Sequence, residues 1–188
     1  GAAQLVNNTY VETVNDGAES GEASGDALAQ ARIDRQNSRD QALELLDGVP
    51  VLVRTLTALQ RAERVDEIVV ATREEDLVAI SQLCRTYGIS KCSKVVRGGE
   101  DRVHSVLLAA LEADPRSELL AVQDGARPLV TPELIDRVVE LAARCGAAAP
   151  AVPVKDTIKV RGEDGFIDST PDRATLFACQ TPQIFEVG

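Results

Sequence analysis

From Gly48 onward, short apolar runs of strand type alternate with stretches whose apolar residues recur at helical spacing, and this alternation leaves few architectures open. Glu67-Ile68-Val69-Val70-Ala71-Thr72, Lys94-Val95-Val96-Arg97 and Leu119-Leu120-Ala121-Val122 read as buried strands, and Ala147 to Val154 reads as a fourth. Between and before them lie four helical patterns. The first is Leu52, Thr55, Leu56 and Leu59; the second is Leu77, Ile80, Cys84 and Tyr87. The third sets Val103, Val106, Leu107, Ala110 and Leu111 on a buried face, and the fourth sets Ile135, Val138, Val139 and Ala142 inward. Thr72 with Glu75 makes a capping box for the second helix and Gly88 closes it; Thr131 and Pro132 open the fourth and Gly146 ends it. Strands that alternate with helices are joined by right-handed crossovers, so the expected fold is an α/β sheet with helices on both faces. Aromatic residues make up only 3% of the chain, which leaves Val, Leu, Ala and Ile to fill the core.

Both ends depart from this pattern. After Val154, Asp156 to Val160, the turn Gly162-Glu163-Asp164-Gly165, and Phe166 to Asp168 read as a β-hairpin. A lone hairpin cannot bury both faces, so it packs either on a partner subunit or as a flap on its own. The first 29 residues or so are small, polar and acidic. Thr9 to Val14 is a candidate short strand, Asn15 to Asp26 a loop or disordered stretch, and Ala27 to Leu46 a candidate helix with Arg32, Arg35 and Arg39 on one face. The 188 residues thus read as a single domain, with an atypical N-terminal segment at 1–44 and a β-arm at 155–173. The chain has no methionine, so Gly1 need not be a natural start.

A formal net charge of −10 repels nucleic acid phosphates, so no nucleic acid partner is expected, and an anionic substrate would need locally gathered positive charge. Cys84, Cys92, Cys145 and Cys179 are far apart in sequence and form no C-x-x-C pair; reduced thiols in a cytoplasmic protein are expected, not a metal site or disulfides. No stretch is long and apolar enough to span a membrane, and no secretory signal is visible. His104 is the only histidine, and no metal or catalytic role is assigned to it.

Ligands of open α/β sheets gather beyond the carboxyl ends of the strands, where three polar clusters fall. In Gly98-Gly99-Glu100-Asp101-Arg102-Val103-His104-Ser105, two glycines before a helix let a flat ligand approach the backbone, and Arg102 and Ser105 share a helix face. The same glycines also serve as a plain tight turn. In Asp124-Gly125-Ala126-Arg127-Pro128, an Asp ending a buried strand and an Arg three residues on suit a metal or hydroxyl and a phosphate, or simply one another as an ion pair. In Pro153 to Lys159, Asp172-Arg173 and Gln180-Thr181-Pro182-Gln183, the side chains of Thr157, Arg173 and Thr181 can donate to phosphate oxygens, or form an ordinary solvated surface.

In this order and spacing, the clusters resemble the methylerythritol phosphate cytidylyltransferase family. The matching pieces are Asp47 to Leu52, Gly98 to Val106, Asp124 to Pro128, Val152 to Lys159, Asp172-Arg173 and Thr181-Pro182-Gln183, and the likeness covers about Leu45 to Phe185. The resemblance implies a Rossmann-like, mostly parallel sheet with a protruding β-hairpin arm, a homodimer formed through that arm, and transfer of CMP from CTP to methylerythritol phosphate with release of pyrophosphate and with Mg²⁺. It implies that Gly98, Gly99, Glu100 and Ser105 hold the cytosine and nearby ribose, and that Asp124 and Arg127 lie at the reaction centre. Thr157 and Arg173 would reach the methylerythritol phosphate bound in the partner subunit, with Thr181 lining the same pocket. A bacterial cytoplasm or plastid stroma follows from the same likeness.

One stretch departs from the family pattern. The family opens with an apolar strand, a glycine-rich loop carrying an Arg, and a Lys-Gln pair; here Gly17, Gly21 and Gly25 are accompanied by Glu19 and Glu22, and Asp40-Gln41 stands where Lys-Gln is expected. The family also continues past the position of Gly188 with another strand, a late catalytic Lys and a closing helix. Besides the active transferase, two readings therefore stay open: a catalytically impaired or incomplete relative acting as a dimeric binding module, and a cytidylyltransferase for another polyol phosphate such as ribitol phosphate.

Overall fold

The computed structural model describes the backbone of residues 5–10 and the whole of residues 42–187. The chain opens with β1 (Leu5–Tyr10) and resumes with the small ladder β2 (Leu45–Leu46) and β3 (Val49–Pro50), which leads directly into α1 (Val51–Arg61). Then follow β4 (Glu67–Thr72), α2 (Leu77–Thr86), β5 (Cys92–Arg97), α3 (Arg102–Leu111), β6 (Leu119–Asp124) and α4 (Pro132–Cys145). The last third is all short strands: β7 (Ala147–Ala148), β8 (Ala151–Pro153), β9 (Val160–Arg161), β10 (Ile167–Ser169), β11 (Phe177–Cys179) and β12 (Gln183–Glu186).

Six of these strands form one sheet in the order β5-β4-β1-β6-β12-β7. β5, β4, β1 and β6 are parallel, and β12 runs antiparallel to both β6 and β7, so the fold is mixed α/β. Helices cover both faces. On one, Leu52, Leu56 and Leu59 of α1, Ile80 and Cys84 of α2 and Ile135, Val138, Val139 and Ala142 of α4 pack with Ile68, Val70, Leu119, Ala121 and Ile184. On the other, Ala109 of α3 meets Val69, Ala71 and Leu120. Alternate residues of β4 thus serve opposite faces, as the pleat requires. Leu56 has no exposed surface. Leu56→Ala is expected to lower the unfolding free energy by about 2–5 kcal/mol, read as an earlier urea midpoint at unchanged slope.

Several expectations match the observed elements. The strand Glu67–Thr72 and the inward faces of α1 and α4 are as read from the sequence. Thr131 caps α4 by accepting from the Leu134 amide at 3.3 Å, with Pro132 in its first turn, and Gly146 ends it in the left-handed conformation at φ 81°.

Others are corrected. The first strand, expected from Thr9 to Val14, starts four residues earlier, at Leu5–Tyr10, and residues 11–14 lie outside the described residues. Of the candidate helix 27–46, Ala42 and Leu43 are helical and Leu45–Leu46 form β2; its residues before 42, including Arg32, Arg35, Arg39 and Asp40-Gln41, lie outside the described residues, as does the proposed loop 15–26. Thr72 does not cap α2: it stays in the β4 ladder, where its carbonyl accepts from the Gly98 amide at 2.7 Å, and a 3-10 turn at Glu74–Asp76 precedes the helix. Tyr87 is exposed. The buried face of α3 is also different: Ser105 and Ala109 face the sheet, while Val103, Leu107 and Leu111 are exposed. Small side chains four apart let this helix approach closely, and the buried bonds of the Ser105 hydroxyl fix its rotation. Finally, 147–154 is two short pieces, β7 and β8, paired antiparallel with β12 and β11, and not a further parallel strand. The hairpin is present as β9 and β10, shorter than expected. Among the described residues, no helix is long and apolar enough to cross a membrane.

Candidate active site

The carboxyl end of β6 is the junction of the polar clusters. β6 is buried along its whole length, so its last residue, Asp124, is carried to the sheet edge on a rigid strand. Its carboxylate meets two guanidinium groups: Arg127 Nε donates to it at 2.8 Å, and Arg102 Nη2, from the first position of α3, lies at 3.6 Å. Arg127 is held on a second side by Nη1 donating to Gln180 Oε1 at 2.6 Å. The Asp124 amide donates to the hydroxyl of buried Thr181 at 3.3 Å, and the Thr181–Pro182 peptide is cis. The turn after Asp124 is pinned from below, where buried Thr55 of α1 donates to the Gly125 carbonyl at 2.8 Å. One carboxylate flanked by two arginines leaves a net positive centre in an otherwise acidic chain, which suits an anionic ligand.

The Gly98-Gly99 turn lies at the end of β5. Its shape is set by Ser105, whose hydroxyl accepts from the Gly99 amide at 2.8 Å and donates to the Asp101 carbonyl at 2.8 Å. Asp101 caps α3 by accepting from the His104 amide at 2.6 Å. No side chain fits here: a Cβ on Gly99 would come within 2.6 Å of His104 Cβ, and one on Gly98 within 2.9 Å of Ser105 Oγ. Gly98, Gly99 and Glu100 line a cavity of about 680 Å³ together with Arg73, Arg97 and His104. Arg127 and Thr181 line a second cavity of about 510 Å³, and the Arg102–Asp124 and Arg127–Asp124 pairs join the two clusters.

Thr157 and Arg173 stand apart from this centre. Both are exposed; Arg173 Nη1 donates to the Lys155 carbonyl at 3.0 Å, from a 3-10 turn that Asp172 caps. The sequence reading assigned no role to several residues the structure brings in. In the sequence Arg102 only shares a helix face with Ser105, Gln180 only neighbours Thr181, and Thr55 is only a core position. The helical spacing from Ser105 points back to Arg102; the Thr55–Gly125 bond spans 70 residues and has no local signal.

The site resides where α/β proteins take up ligands, at strand carboxyl ends, with glycine-backed and cation-lined surfaces. Comparison with known proteins narrows this class. Residues 29–188 match the model of the family described as IspD, 2-C-methyl-D-erythritol 4-phosphate cytidylyltransferase. A protein of that name from Caldanaerobacter subterraneus subsp. tengcongensis is 42% identical over 161 residues, 85% of this chain and 71% of the relative. One from Alkaliphilus metalliredigens is 41% identical over 146 residues, 77% of this chain and 60% of the relative. The solved 4-diphosphocytidyl-2C-methyl-D-erythritol synthase of Anaerococcus prevotii shares the fold, with a TM-score of 0.75 at 24% identity, covering 99% of this chain and 72% of that one. This chain belongs to the 2-C-methyl-D-erythritol 4-phosphate cytidylyltransferase family. It spans 71%, 60% and 59% of the length of three of its curated relatives.

Proposed function

We propose that the protein transfers CMP from CTP to 2-C-methyl-D-erythritol 4-phosphate and releases pyrophosphate, a reading supported by relatives named as cytidylyltransferases of that sugar phosphate. The observation that carries this reading is the paired-arginine centre at Asp124, beside a glycine turn that no side chain could occupy. The sheet is read as Rossmann-like: taken in chain order, its parallel strands run 3-2-1-4, and β1 and β6 meet at the point where that order reverses. Tyr10 is in register with Asp124, so the chain leaves β1 at the same sheet edge as the centre.

In this reading cytosine lies against Gly98 and Gly99, near Glu100. Ser105 acts through the turn, since its hydroxyl is engaged with the Gly99 amide and the Asp101 carbonyl. A phosphate oxygen of the sugar attacks the α-phosphorus in line, and pyrophosphate departs opposite. Two anions must meet, so the chain's contribution is positioning and neutralisation. Arg127 and Arg102 supply positive charge, and Asp124, with Gln180 on Arg127, holds it in place. Asp124, at the strand end, is the carboxylate that would hold a Mg²⁺ arriving with the nucleotide. When bound, the ion offsets phosphate charge.

Thr157, Arg173 and Thr181 are assigned to the sugar phosphate, with the 155–173 arm reaching a partner subunit of a homodimer. The support for a dimer is the arm's exposed Phe166 and Ile167, which a solvated flap does not need. Arg173→Ala is expected to weaken methylerythritol phosphate binding by tenfold or more, about 1.4 kcal/mol, with CTP affinity unchanged; calorimetry with each ligand checks it. The whole reading is tested by pyrophosphate release from CTP with Mg²⁺ and methylerythritol phosphate, with ribitol phosphate as a parallel acceptor. Release with methylerythritol phosphate alone is expected. No release from folded protein would leave the impaired-relative reading, and release with ribitol phosphate alone would change the substrate.

A further inference from the structure

Behind the strand-end centre, one hydrogen bond decides which way a backbone amide points. Asp124 to Arg127 form a tight turn, closed by the Arg127 amide donating to the Asp124 carbonyl at 3.3 Å. Neither central residue, Gly125 or Ala126, has a positive φ, so the turn is of type I. Type I and type II turns differ chiefly by a half-rotation of the central peptide, here Gly125–Ala126. The Gly125 carbonyl accepts from the Thr55 hydroxyl at 2.8 Å. The Val51 carbonyl, the usual partner of a helical threonine, lies farther from that hydroxyl, at 3.5 Å, so its one hydrogen goes to Gly125. Thr55 has no exposed surface, and its bond stands in place of water for the carbonyl.

The Gly125–Ala126 peptide is trans, so its carbonyl and its N–H point in opposite directions. α1 covers one face of the sheet and α3 the other. With the carbonyl held toward α1, the Ala126 N–H points to the side of α3, from whose first position Arg102 reaches Asp124. We propose that Thr55 is a positioning residue for CMP transfer: it locks this peptide so that the Ala126 N–H is offered to a nucleotide oxygen at the Asp124 centre. The inference rests on that centre being the nucleotide site. In the flipped turn a carbonyl oxygen would face the ligand, replacing a donor by an acceptor beside an anion. A second restraint acts the same way. The flip needs a φ of about +80° at Ala126, a region unfavourable to any residue with a Cβ. The Thr55 hydroxyl and the Ala126 methyl therefore hold one orientation together.

The test measures pyrophosphate release by variants shown folded by circular dichroism. Thr55→Val keeps the shape and removes the hydroxyl, so kcat should fall about tenfold, with KM for CTP within a few-fold. Thr55→Ser, which keeps the hydroxyl, should recover most of the rate. Ala126→Gly alone should cost about threefold. Thr55→Val combined with Ala126→Gly frees the peptide and should cost about 10²- to 10³-fold, the worth of one donor in a preorganised site. That exceeds the product of the single losses, as coupled restraints require. Losses that merely multiply, or a Thr55→Ser rate as low as that of Thr55→Val, would overturn the proposal. Two readouts need no turnover. The residual dipolar coupling of the N–H at position 126 should change in the double variant, and an unchanged value means there is no lock. In the parent chain CTP with Mg²⁺ should move the Ala126 amide signal, and a signal that stays in place overturns the proposal without any variant. A parent chain that shows this shift yet releases no pyrophosphate with methylerythritol phosphate would contradict the proposed function and uphold the lock.

Discussion

Arg127→Ala is expected to slow CMP transfer by about 10²- to 10³-fold, the scale of removing one charge-stabilising contact from a preorganised site. Two bonds give the side chain its geometry: Nε on Asp124 at 2.8 Å and Nη1 on Gln180 at 2.6 Å. Its removal takes away a cation and also leaves the Asp124 carboxylate, only 10% exposed, facing Arg102 alone at 3.6 Å. Arg127→Lys separates these effects. It keeps the charge and loses the fork that reaches both partners, so most of the rate loss should persist. Steady-state kinetics with both substrates checks this, and the loss should fall on kcat more than on KM. A rate within a few-fold of the parent for Arg127→Ala would mean that the pair is a structural clasp.

Gly99→Val should weaken CTP binding by tenfold or more, a loss of at least about 1.4 kcal/mol. The argument is steric. Even the first added carbon would meet His104 Cβ and Cγ at 2.6 Å and the His104 backbone carbon at 3.0 Å, and α3 cannot recede without losing the Ser105 and Ala109 contacts with the sheet. The turn must then move, and with it the Gly99 amide that Ser105 holds. Calorimetric titration of CTP, with circular dichroism to verify the fold, measures this. An unchanged affinity would remove the glycine turn from the nucleotide site.

The alternation of strand and helix was legible because β4 and β6 are apolar and bounded by turn residues, and because α1 and α4 keep most of their apolar positions on one side. β1 was harder. It lies at the centre of the sheet, yet Leu5-Val6-Asn7-Asn8-Thr9-Tyr10 carries two asparagines, a residue depleted in strands, so its local preference hid its tertiary place. α3 misled for the opposite reason: its larger apolar residues, Val103, Leu107 and Leu111, are exposed, and the sheet instead receives Ser105 and Ala109. Periodicity weighs apolar size and misses that a helix seated close to a sheet uses small residues. The Asp124–Arg127 pair was readable from its spacing of three. The contributions of Arg102, Gln180 and Thr55 depend on contacts between distant elements.

The most direct measurement is a crystal structure of the chain with CTP and Mg²⁺. The account predicts cytosine against the Gly98-Gly99 turn and the α-phosphate within reach of Arg127 or Arg102 beside Asp124. A nucleotide seated elsewhere, with the Asp124 pairs undisturbed and facing solvent, would contradict it.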